Sequence, residues 1–347
     1  MQTPLVEEHR LEHAQLAEFE GCELPERFAG LEAEYRTARE SAAIFDTNWN
    51  AIWIARGRDR VQYFHNITSN DVKSLTEGQG TLALLLNPQG RILAELEIYA
   101  LAEKLLVRSH ASQRERTLAT LKKYIIGSKV EIDDATERMG SFAIEGLRAP
   151  DALRQLTAIE NMPPMAIRET AIDGLDCWVI CRDHFGAGGA EVIAPREHLA
   201  AVWRKAVAIV RELGGAPIGM AALDALRLEA GVPWFPADFN DAMIPHEAAL
   251  ENSHISFTKG CYTGQEIVER VRSRGHVNRK RVSLKFSTSD APPAGTKLLA
   301  GGAEVGFVTS AACSPANKTA IGMGYVRREH LAPATILEFA GGTAEVG

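Results

Sequence analysis

Alternating apolar and polar positions recur along the first half of the chain and predict β-strands. Residues 81–86 and 91–99 are two such segments, and the turn-forming sequence Asn-Pro-Gln-Gly at 87–90 lies between them. Two strands joined by a turn of this kind predict a hairpin. In its second strand the alternation places Ala94 with the apolar side chains and Glu95 on the opposite face, so we expect a half-buried hairpin.

Helical spacing of apolar residues predicts helices between the strands. Residues 5–45 show this spacing with a break at Pro25, and Ser112 with Glu115 forms a capping-box pattern ahead of a helix through residue 125. Further helices are predicted at 61–66, 150–156, 197–213 and 224–229, and further strands at 51–54, 130–132, 142–144 and 177–180. The mixture of strands and helices predicts an α+β fold.

The pattern changes after Val277, where glycine and proline become more frequent and helical periodicity stops. Short strands are predicted there at 282–286, 296–299, 305–309 and 321–326, which is typical of a small β-barrel. The expected units are a discontinuous α+β domain of residues 1–50 and 137–240, an inserted α+β domain at 51–136, a cysteine-bearing segment at 241–276 and a C-terminal β-barrel domain at 277–347.

Composition and charge narrow the functional classes. The chain has 347 residues, of which 46% are hydrophobic and 24% charged, as in an ordinary globular protein. No apolar run approaches the length of a membrane span and residues 1–10 lack a secretion pattern, so we expect a cytoplasmic protein. The five cysteines are odd in number and scattered, which argues against a disulfide framework. The net charge of −7 argues against nucleic-acid binding.

One segment carries the opposite charge. Within twelve residues the chain contains Arg270, Arg272, Arg274, His276, Arg279, Lys280 and Arg281. Such a run is either a solvated surface or an electropositive patch for an anionic ligand or an acidic partner. Both interpretations stay open from the sequence.

The candidate chemistry centres on the octapeptide 259–266, Lys-Gly-Cys-Tyr-Thr-Gly-Gln-Glu. Thr263 and Glu266 form a capping-box pattern, so we expect Thr263 to cap a short helix and Cys261 to lie about two residues before it. The helix dipole and Lys259 would both favour an anion there, so the thiol is expected to ionise more readily than a free cysteine. The alternative is a small buried apolar cysteine.

This octapeptide resembles the signature of the YgfZ family of folate-binding proteins, which are related to the glycine-cleavage T-protein, an aminomethyltransferase. Other stretches resemble the same family in the expected order, among them 87–90, 227–231 and 305–310. The resemblance implies an α+β, three-domain, aminomethyltransferase-like architecture around a central cavity that admits folate, with a small β-barrel as the last domain. It also implies Cys261 and Lys259 as catalytic residues.

A glycine-rich segment at 184–191 lies between the strands at 177–180 and 192–193. A dinucleotide-binding loop needs a helix after the glycines, and here a strand follows. The segment instead resembles the T-protein hairpin that ends in a glutamate bound to a pterin, which implies Glu191, with Gly189 beside it, as ligands of tetrahydrofolate. An ionised carboxylate suits the paired donors of a pterin. A surface hairpin with a solvated glutamate is the alternative.

The same resemblance places Arg227, Trp234 and Asp238 near the folate cavity. Trp234 would form a wall of that cavity or else belong to the hydrophobic core. Where the T-protein carries an Asp-Asp pair that assists at the folate nitrogen, this chain has Ala94-Glu95. Because Glu95 faces away from Ala94, we expect no simple replacement of the aspartate, which argues against glycine-cleavage chemistry.

Three functions are compatible with these residues. The first, which we favour because the cysteine signature is retained, is a YgfZ-type protein that binds tetrahydrofolate and supports the assembly or maintenance of iron–sulfur proteins through Cys261. The second is a folate-dependent one-carbon (aminomethyl) transferase acting on a small amine, with Glu95 or another acid in place of the aspartate. The third is a binding module whose basic segment docks an acidic partner or the polyglutamate tail of folate.

The expected partners follow from the first function. They are folate and iron–sulfur enzymes or cluster-assembly proteins, without membrane or nucleic acid. We expect no stably bound metal, because Cys177 and Cys181 have no histidine pair at ligand spacing.

Overall fold

The computed structural model of the protein describes residues 1–347, apart from the side chain of Arg274. Arg274 belongs to the basic segment, so the prediction for that side chain lies outside the described residues. The helices are α1 (Val6–Leu11), α2 (Leu31–Glu40), α3 (Arg60–Ile67), α4 (Arg114–Lys123), α5 (Ala149–Thr157), α6 (Arg196–Glu212), α7 (Met220–Glu229), α8 (Glu251–His254) and α9 (Gln265–Arg274). None of these described helices is long and apolar enough to cross a membrane.

The strands supply most of the framework. They are β1 (Gln15–Phe19), β2 (Cys22–Arg27), β3 (Ala43–Asp46), β4 (Asn50–Arg56), β5 (Gly80–Leu86), β6 (Ile92–Ala100), β7 (Leu105–His110), β8 (Glu131–Asp134), β9 (Met139–Glu145), β10 (Ile167–Ile172), β11 (Leu175–Ile180), β12 (Gly189–Pro195), β13 (Ala216–Pro217), β14 (Arg279–Phe286), β15 (Lys297–Ala300), β16 (Ala303–Ser314), β17 (Thr319–Arg327), β18 (Ile336–Phe339) and β19 (Gly342–Val346).

A six-stranded sheet, a five-stranded sheet and a closed barrel form the body of the molecule. The six-stranded sheet has the order β10-β11-β12-β9-β3-β13 and is antiparallel except for the β13–β3 pair. The antiparallel five-stranded sheet has the order β5-β6-β7-β4-β8. The barrel has the order β14-β17-β16-β15-β18-β19 and closes through β14 and β19. The predicted α+β fold with a C-terminal barrel is confirmed, whereas the division into domains stays a prediction.

Buried apolar side chains explain how these layers pack. On one face of the six-stranded sheet, Ile144 packs with Trp203 of α6; on the other, Phe45 packs with Leu226 of α7. A separate core fills the barrel. Burying one large apolar side chain contributes roughly 1.5–3 kcal/mol, so each of these contacts matters to the stability of the fold.

Strand β6 shows the predicted alternation but is buried on both faces. Ala94 and Leu96 belong to the main core of the five-stranded sheet. On the opposite face, Tyr99 is fully buried between the two sheets and Glu97 is 8% exposed. The expectation of a half-buried hairpin is therefore wrong, because the six-stranded sheet covers the second face.

The chain near the N-terminus also differs from the prediction. Residues 15–27 form the hairpin β1–β2 instead of continuing a helix, and Leu16 and Phe19 lie in β1. Spacings of three residues fit one face of a helix, but alternate burial of Cys22 and Leu24 in β2 shows that strand pairing prevails. Strands β3, β7, β10, β13, β18 and β19 also escaped prediction; β10 is an edge strand with several exposed residues and lacks an apolar run.

Neither predicted capping box forms. Helix α9 begins after Gly264, which adopts a left-handed conformation with φ +83°, so Thr263 is not its cap. Helix α4 follows Gln113 as N-cap without a side-chain cap hydrogen bond, and Ser112 lies in a preceding 3-10 turn. At α9 the loop is fixed by the packing of Gly264 against the β5–β6 turn. Ahead of α4, the His110 side chain accepts a hydrogen bond from the Ser112 N–H.

The conformation of Gly264 gives a first prediction. A Cβ atom there would lie 2.6 Å from the carbonyl oxygen of Asn87 in the β5–β6 turn, and the positive φ disfavours other residues. Gly264→Ala should lower the free energy of unfolding in urea by at least about 1–2 kcal/mol. Gly260→Ala is the matched control: no described atom lies within 4 Å of its Cβ position, so a change under about 0.5 kcal/mol is expected. Equal losses would contradict this role.

Candidate active site

A narrow polar cavity lies where the two large sheets meet the segment that follows α7. Strands β6 and β7 supply Glu95, Glu97 and Arg108, while Trp49 and Trp234 provide aromatic walls. The free volume is about 40 Å³. The cavity therefore combines charged groups with flat apolar surfaces, as binding sites for polar aromatic ligands do.

Arg108 joins the two sheets across this cavity. Its guanidinium donates to Glu97 on the same sheet (3.1 Å) and to Glu191 on β12 of the other sheet (2.5 Å). Burial alone would raise the pKa of Glu97, but the guanidinium groups of Arg108 and Arg182 lower it to about 2. Burial disfavours a charged arginine, yet the carboxylates of Glu191 and Glu97 raise the pKa of Arg108. Glu97 and Arg108 are therefore both charged at neutral pH.

Glu191 is completely buried and is not itself among the described residues that line the cavity, but it contacts Arg108, which does line it. Its Oε1 atom accepts hydrogen bonds from Thr47 (2.6 Å) and Arg108. Among the described side chains its Oε2 atom has no hydrogen-bond partner; His184 Nε2 is 3.9 Å away. A buried carboxylate oxygen without a donor costs free energy, so this atom is suited to a ligand that brings an N–H group. The alternative of a solvated surface glutamate does not hold.

His184 is positioned at the cavity from the opposite side. Its ring Nδ1 and its backbone N–H both contact the buried carboxylate of Glu145 on β9. Burial raises the pKa of Glu145, and the His184 ring opposes that shift. Glu145 thus orients the imidazole toward Glu191.

Glu95 reaches the cavity from the middle of β6. Its Oε1 atom lies at hydrogen-bond distance, 2.8 Å, from Nε2 of His254. The side chain of Glu95 is 18% exposed. The sequence argument placed Ala94 and Glu95 on opposite faces correctly. The cavity lies on the face of Glu95, and Ala94 lies in the core. The expectation that Glu95 does not simply replace the aspartate stays a prediction.

The donor set fits a reduced pterin, but the present free volume does not. A pterin offers adjacent N–H donors for Glu191 Oε2 and a flat ring for Trp49 and Trp234. About 40 Å³ holds little more than a water molecule, so side chains that line the cavity must move before a pterin can enter. A larger cavity of about 770 Å³ borders the glycine-rich hairpin, and Arg182 lines both cavities.

The other residues implied by the resemblance lie around this centre. Trp234 lines the cavity and its ring stacks against the guanidinium of Arg227 at 4.6 Å. Arg227 itself is buried in ion pairs with Asp224 and Asp238 and is absent from the described lining of the central cavity. At Gly189 a Cβ atom would lie 2.2 Å from Ile144 O, so this glycine permits close strand packing and borders the larger cavity.

Cys261 and Lys259 lie elsewhere. Cys261 is exposed and is not among the described residues that line the central cavity, so its catalytic role stays a prediction. It lies three residues before Gly264, the N-cap of α9, which is farther from the helix than expected. The Lys259 ammonium donates to the carbonyl oxygens of His65 and Thr68 at the end of α3.

Lys259 is therefore a structural anchor in this arrangement. Its ammonium lies 4.9 Å from the centre of the Tyr262 ring, and the side chain is buried. Burial lowers the pKa of Lys259 to about 8, with Asp71 opposing the shift. A cation at a helix C-terminus is favourable, so Lys259 holds the cysteine-bearing loop against α3.

Several side chains of the basic segment form ion pairs with acidic residues of the same chain. Arg270 pairs with Glu266 at 2.6 Å, and Lys280 pairs with Glu251 at 3.4 Å. Arg279 contacts Glu247 at 3.2 Å. The described part of the segment thus resembles a paired protein surface more than an open cationic patch.

Among the described residues, no group of three or more His, Cys, Asp or Glu could hold a metal ion.

The sequence analysis missed Arg108, His184 and His254 as members of the site. Arg108 follows three apolar residues in β7, and an arginine in such a strand indicates a buried ion pair. His254 lies just ahead of the cysteine octapeptide but shows no motif that links it to Glu95, which is 159 residues away in the sequence.

Comparisons with known proteins cover nearly the whole chain. Residues 5–259 match the model of the GCVT N-terminal domain, and residues 279–344 match the glycine cleavage T-protein C-terminal barrel domain. The chain is 31% identical over 329 residues to an aminomethyltransferase from Rubrobacter xylanophilus, covering 94% of this chain and 87% of the relative. An aminomethyltransferase from Flavobacterium psychrophilum is 29% identical over 330 residues, covering 93% and 90%.

The fold is also similar to that of a solved aminomethyltransferase structure. The crystal structure of glycine cleavage system aminomethyltransferase T from Bartonella henselae superimposes with a TM-score of 0.91, covering 100% of this chain and 96% of that chain. The two sequences are 24% identical, so this likeness concerns the fold alone.

The buried ion network gives a second prediction. Arg108→Met removes the cation but keeps much of the volume, leaving buried Glu191 without its guanidinium partner while Glu97 keeps only Arg182. The free energy of unfolding in urea should fall by about 3–5 kcal/mol. Arg116→Met is the matched control, because its ion pair with Asp241 is about half exposed and should be worth under about 1 kcal/mol. A loss at Arg108 no larger than the loss at Arg116 would show that the network is not a stabilising element.

Proposed function

The chain belongs to the glycine-cleavage T-protein family, and from that membership together with the central cavity we propose that it is a folate-dependent one-carbon transferase of the aminomethyltransferase type. The proposal is carried by two carboxylates: Glu95 lines the cavity, and the partnerless Oε2 atom of buried Glu191 lies 3.9 Å from Nε2 of His184, which also lines it. One carboxylate is placed to bind and the other to exchange a proton.

Glu191 is the proposed binding residue for tetrahydrofolate. Tetrahydrofolate, when bound, supplies the ring nitrogen that accepts the one-carbon unit. The Oε2 atom of Glu191 lacks a donor within the described structure, and the aromatic faces of Trp49 and Trp234 border the same space. Because Arg108 Nη2 contacts Oε1 and not Oε2, the carboxylate can accept a ligand N–H without first losing the ion pair.

Glu95 is the proposed general acid and base. Its carboxyl group borders the cavity, is partly exposed, and is held in place by His254. General acid–base catalysis needs such a group within hydrogen-bond reach of the reacting nitrogen. A small amine bound in the cavity would exchange a proton with Glu95 as the one-carbon unit leaves the amine.

The third prediction tests both roles. Isothermal titration with tetrahydrofolate should show at least about a tenfold weaker affinity for Glu191→Gln than for the parent, because a neutral amide replaces the carboxylate acceptor. Glu95→Gln should keep folate binding and lower the rate of methylenetetrahydrofolate formation from candidate amines by about 100-fold or more.

Exposed Glu329 supplies the control variant, Glu329→Gln, which should match the parent in both assays. Circular dichroism establishes that each variant is folded. Unchanged affinity in folded Glu191→Gln, or unchanged transfer by Glu95→Gln, would remove the corresponding residue from the proposal. A parent protein that binds no tetrahydrofolate would remove the proposed function itself.

We propose as a second candidate the YgfZ-type role, in which Cys261 supports the assembly or maintenance of iron–sulfur proteins. What favours it is that Cys261 is exposed on a loop that Lys259 and Gly264 hold in place, whereas Cys22 and Cys177 are buried. An exposed thiol is available to a partner protein, and this role needs no transfer chemistry in the cavity.

The fourth prediction concerns this thiol. Cells whose only copy is Cys261→Ala should lose activity of their iron–sulfur enzymes, while the purified variant should bind tetrahydrofolate as the parent does. Cys313→Ala, at a partly buried position in the barrel, serves as control and should leave both properties unchanged. Normal iron–sulfur enzyme activity with Cys261→Ala would eliminate the second candidate.

A further inference from the structure

A chain of polar contacts connects Glu95 with the protein surface. His254, the last residue of α8, is 4% exposed. Its Nε2 atom lies 2.8 Å from Glu95 Oε1, and its Nδ1 atom lies 2.7 Å from Ser253 Oγ. Ser253 is exposed to solvent. Both ring nitrogens are therefore engaged, one toward the cavity and one toward water.

The position of the His254 ring is fixed by the surrounding structure. The Ser69 hydroxyl donates to the His254 carbonyl oxygen (2.6 Å), and the Ser256 N–H donates to the Ser69 carbonyl oxygen (3.0 Å). Phe239 packs against the imidazole in an edge-on arrangement, with ring centres 6.4 Å apart. The backbone of His254 is thus hydrogen-bonded to Ser69 and its ring packs against Phe239, which together fix the position of the imidazole.

A neutral imidazole satisfies the whole chain of contacts. The Ser253 hydroxyl donates to Nδ1, and the N–H at Nε2 donates to the Glu95 carboxylate. The charged and titratable groups that share the cavity with Glu95 are Glu97, Arg108, His110, Arg182, His184 and Glu20. Of the contacts described for His254 and Ser253, the one between Nδ1 and the serine hydroxyl leads outward, so one route from Glu95 to water runs through this ring.

We propose that His254 is a positioning residue that also relays protons between Glu95 and solvent by way of Ser253. This inference rests on the proposed transfer function, in which Glu95 gives a proton to the reacting amine. The Nε2–H then protonates the Glu95 carboxylate, and Nδ1 takes the hydroxyl proton of Ser253. The serine oxygen recovers a proton from a buffer acid, so one proton enters from solvent for each proton delivered. The inward sequence leaves the imidazole proton on Nδ1. The reverse sequence carries a proton outward, restores the N–H at Nε2 and leaves Glu95 ionised, ready to take a proton from the reacting groups.

Glutamine at this position separates relay from structure. A glutamine amide can hold a hydrogen bond to Glu95 but cannot accept a proton on one side while giving one on the other. Ser253→Ala interrupts the outer step at an exposed position where loss of fold is not expected. Ser273→Ala is the matched control, since this exposed hydroxyl contacts only the Arg270 carbonyl oxygen among the described atoms.

The kinetic test compares kcat at several buffer concentrations. In His254→Gln and Ser253→Ala, kcat should fall about tenfold with KM within about twofold, and should rise with buffer concentration because proton supply limits the rate. The parent and Ser273→Ala should be independent of buffer concentration. Full activity of both relay variants, or an equal loss at every buffer concentration, would overturn the relay.

A second measurement does not depend on transfer activity. In histidine-labelled protein, the His254 Nε2–H should appear as an exchange-protected NMR resonance, and Glu95→Gln should move it upfield because the carboxylate acceptor is gone. Identical spectra for parent and Glu95→Gln would overturn the link between His254 and Glu95. If the parent transfers no one-carbon unit, the proposed function fails, while this spectrum still decides whether the two residues are hydrogen-bonded.

Discussion

The ion pair between Arg108 and Glu191 is the contact on which the arrangement of the site depends. It connects β7 of one large sheet with β12 of the other, and Glu97 completes the charge balance on the side of β7. A buried pair of this kind is costly to desolvate and still more costly to break on one side. The two sheets are therefore held at a fixed separation, which keeps the space between them narrow.

The same contact borders the cavity, whose free volume is about 40 Å³ and whose lining includes Arg108. Because Arg108 contacts only Oε1 of Glu191, a ligand that supplies an N–H group can bond Oε2 while the ion pair stays in place. The buried carboxylate then keeps its charge partner when the ligand binds.

Much of the fold could be predicted from the sequence because strong local patterns agree with the tertiary packing. The β5–β6 hairpin could be predicted from the alternation and the turn sequence. The barrel could be predicted from short strands separated by turns. The helical prediction for residues 15–27 failed, because their few apolar positions fit a helix and a strand equally well. Long-range packing decides in favour of the strands. The capping pattern at Thr263 failed because packing of Gly264 against the β5–β6 turn sets the start of α9.

The site was harder to predict, for a related reason. Alternation along β6 correctly separates Ala94 from Glu95, but it cannot indicate which face of the strand meets the cavity. The partners Arg108 and Glu191 are 83 residues apart, and an arginine is normally an exposed residue. Only the three-dimensional arrangement brings them together.

The cysteine octapeptide shows how one motif combines packing and chemistry. Lys259 and Tyr262 are buried, the former against the end of α3 and the latter in the core of the five-stranded sheet, and Gly264 packs against the β5–β6 turn. These three residues have a structural reason to be present whatever the protein does. Cys261 is exposed, and its thiol is what this loop offers to other molecules. Because it lies apart from the cavity lined by Glu95, a folded protein in which only one of the two centres acts is physically consistent, and each can be altered without disturbing the other.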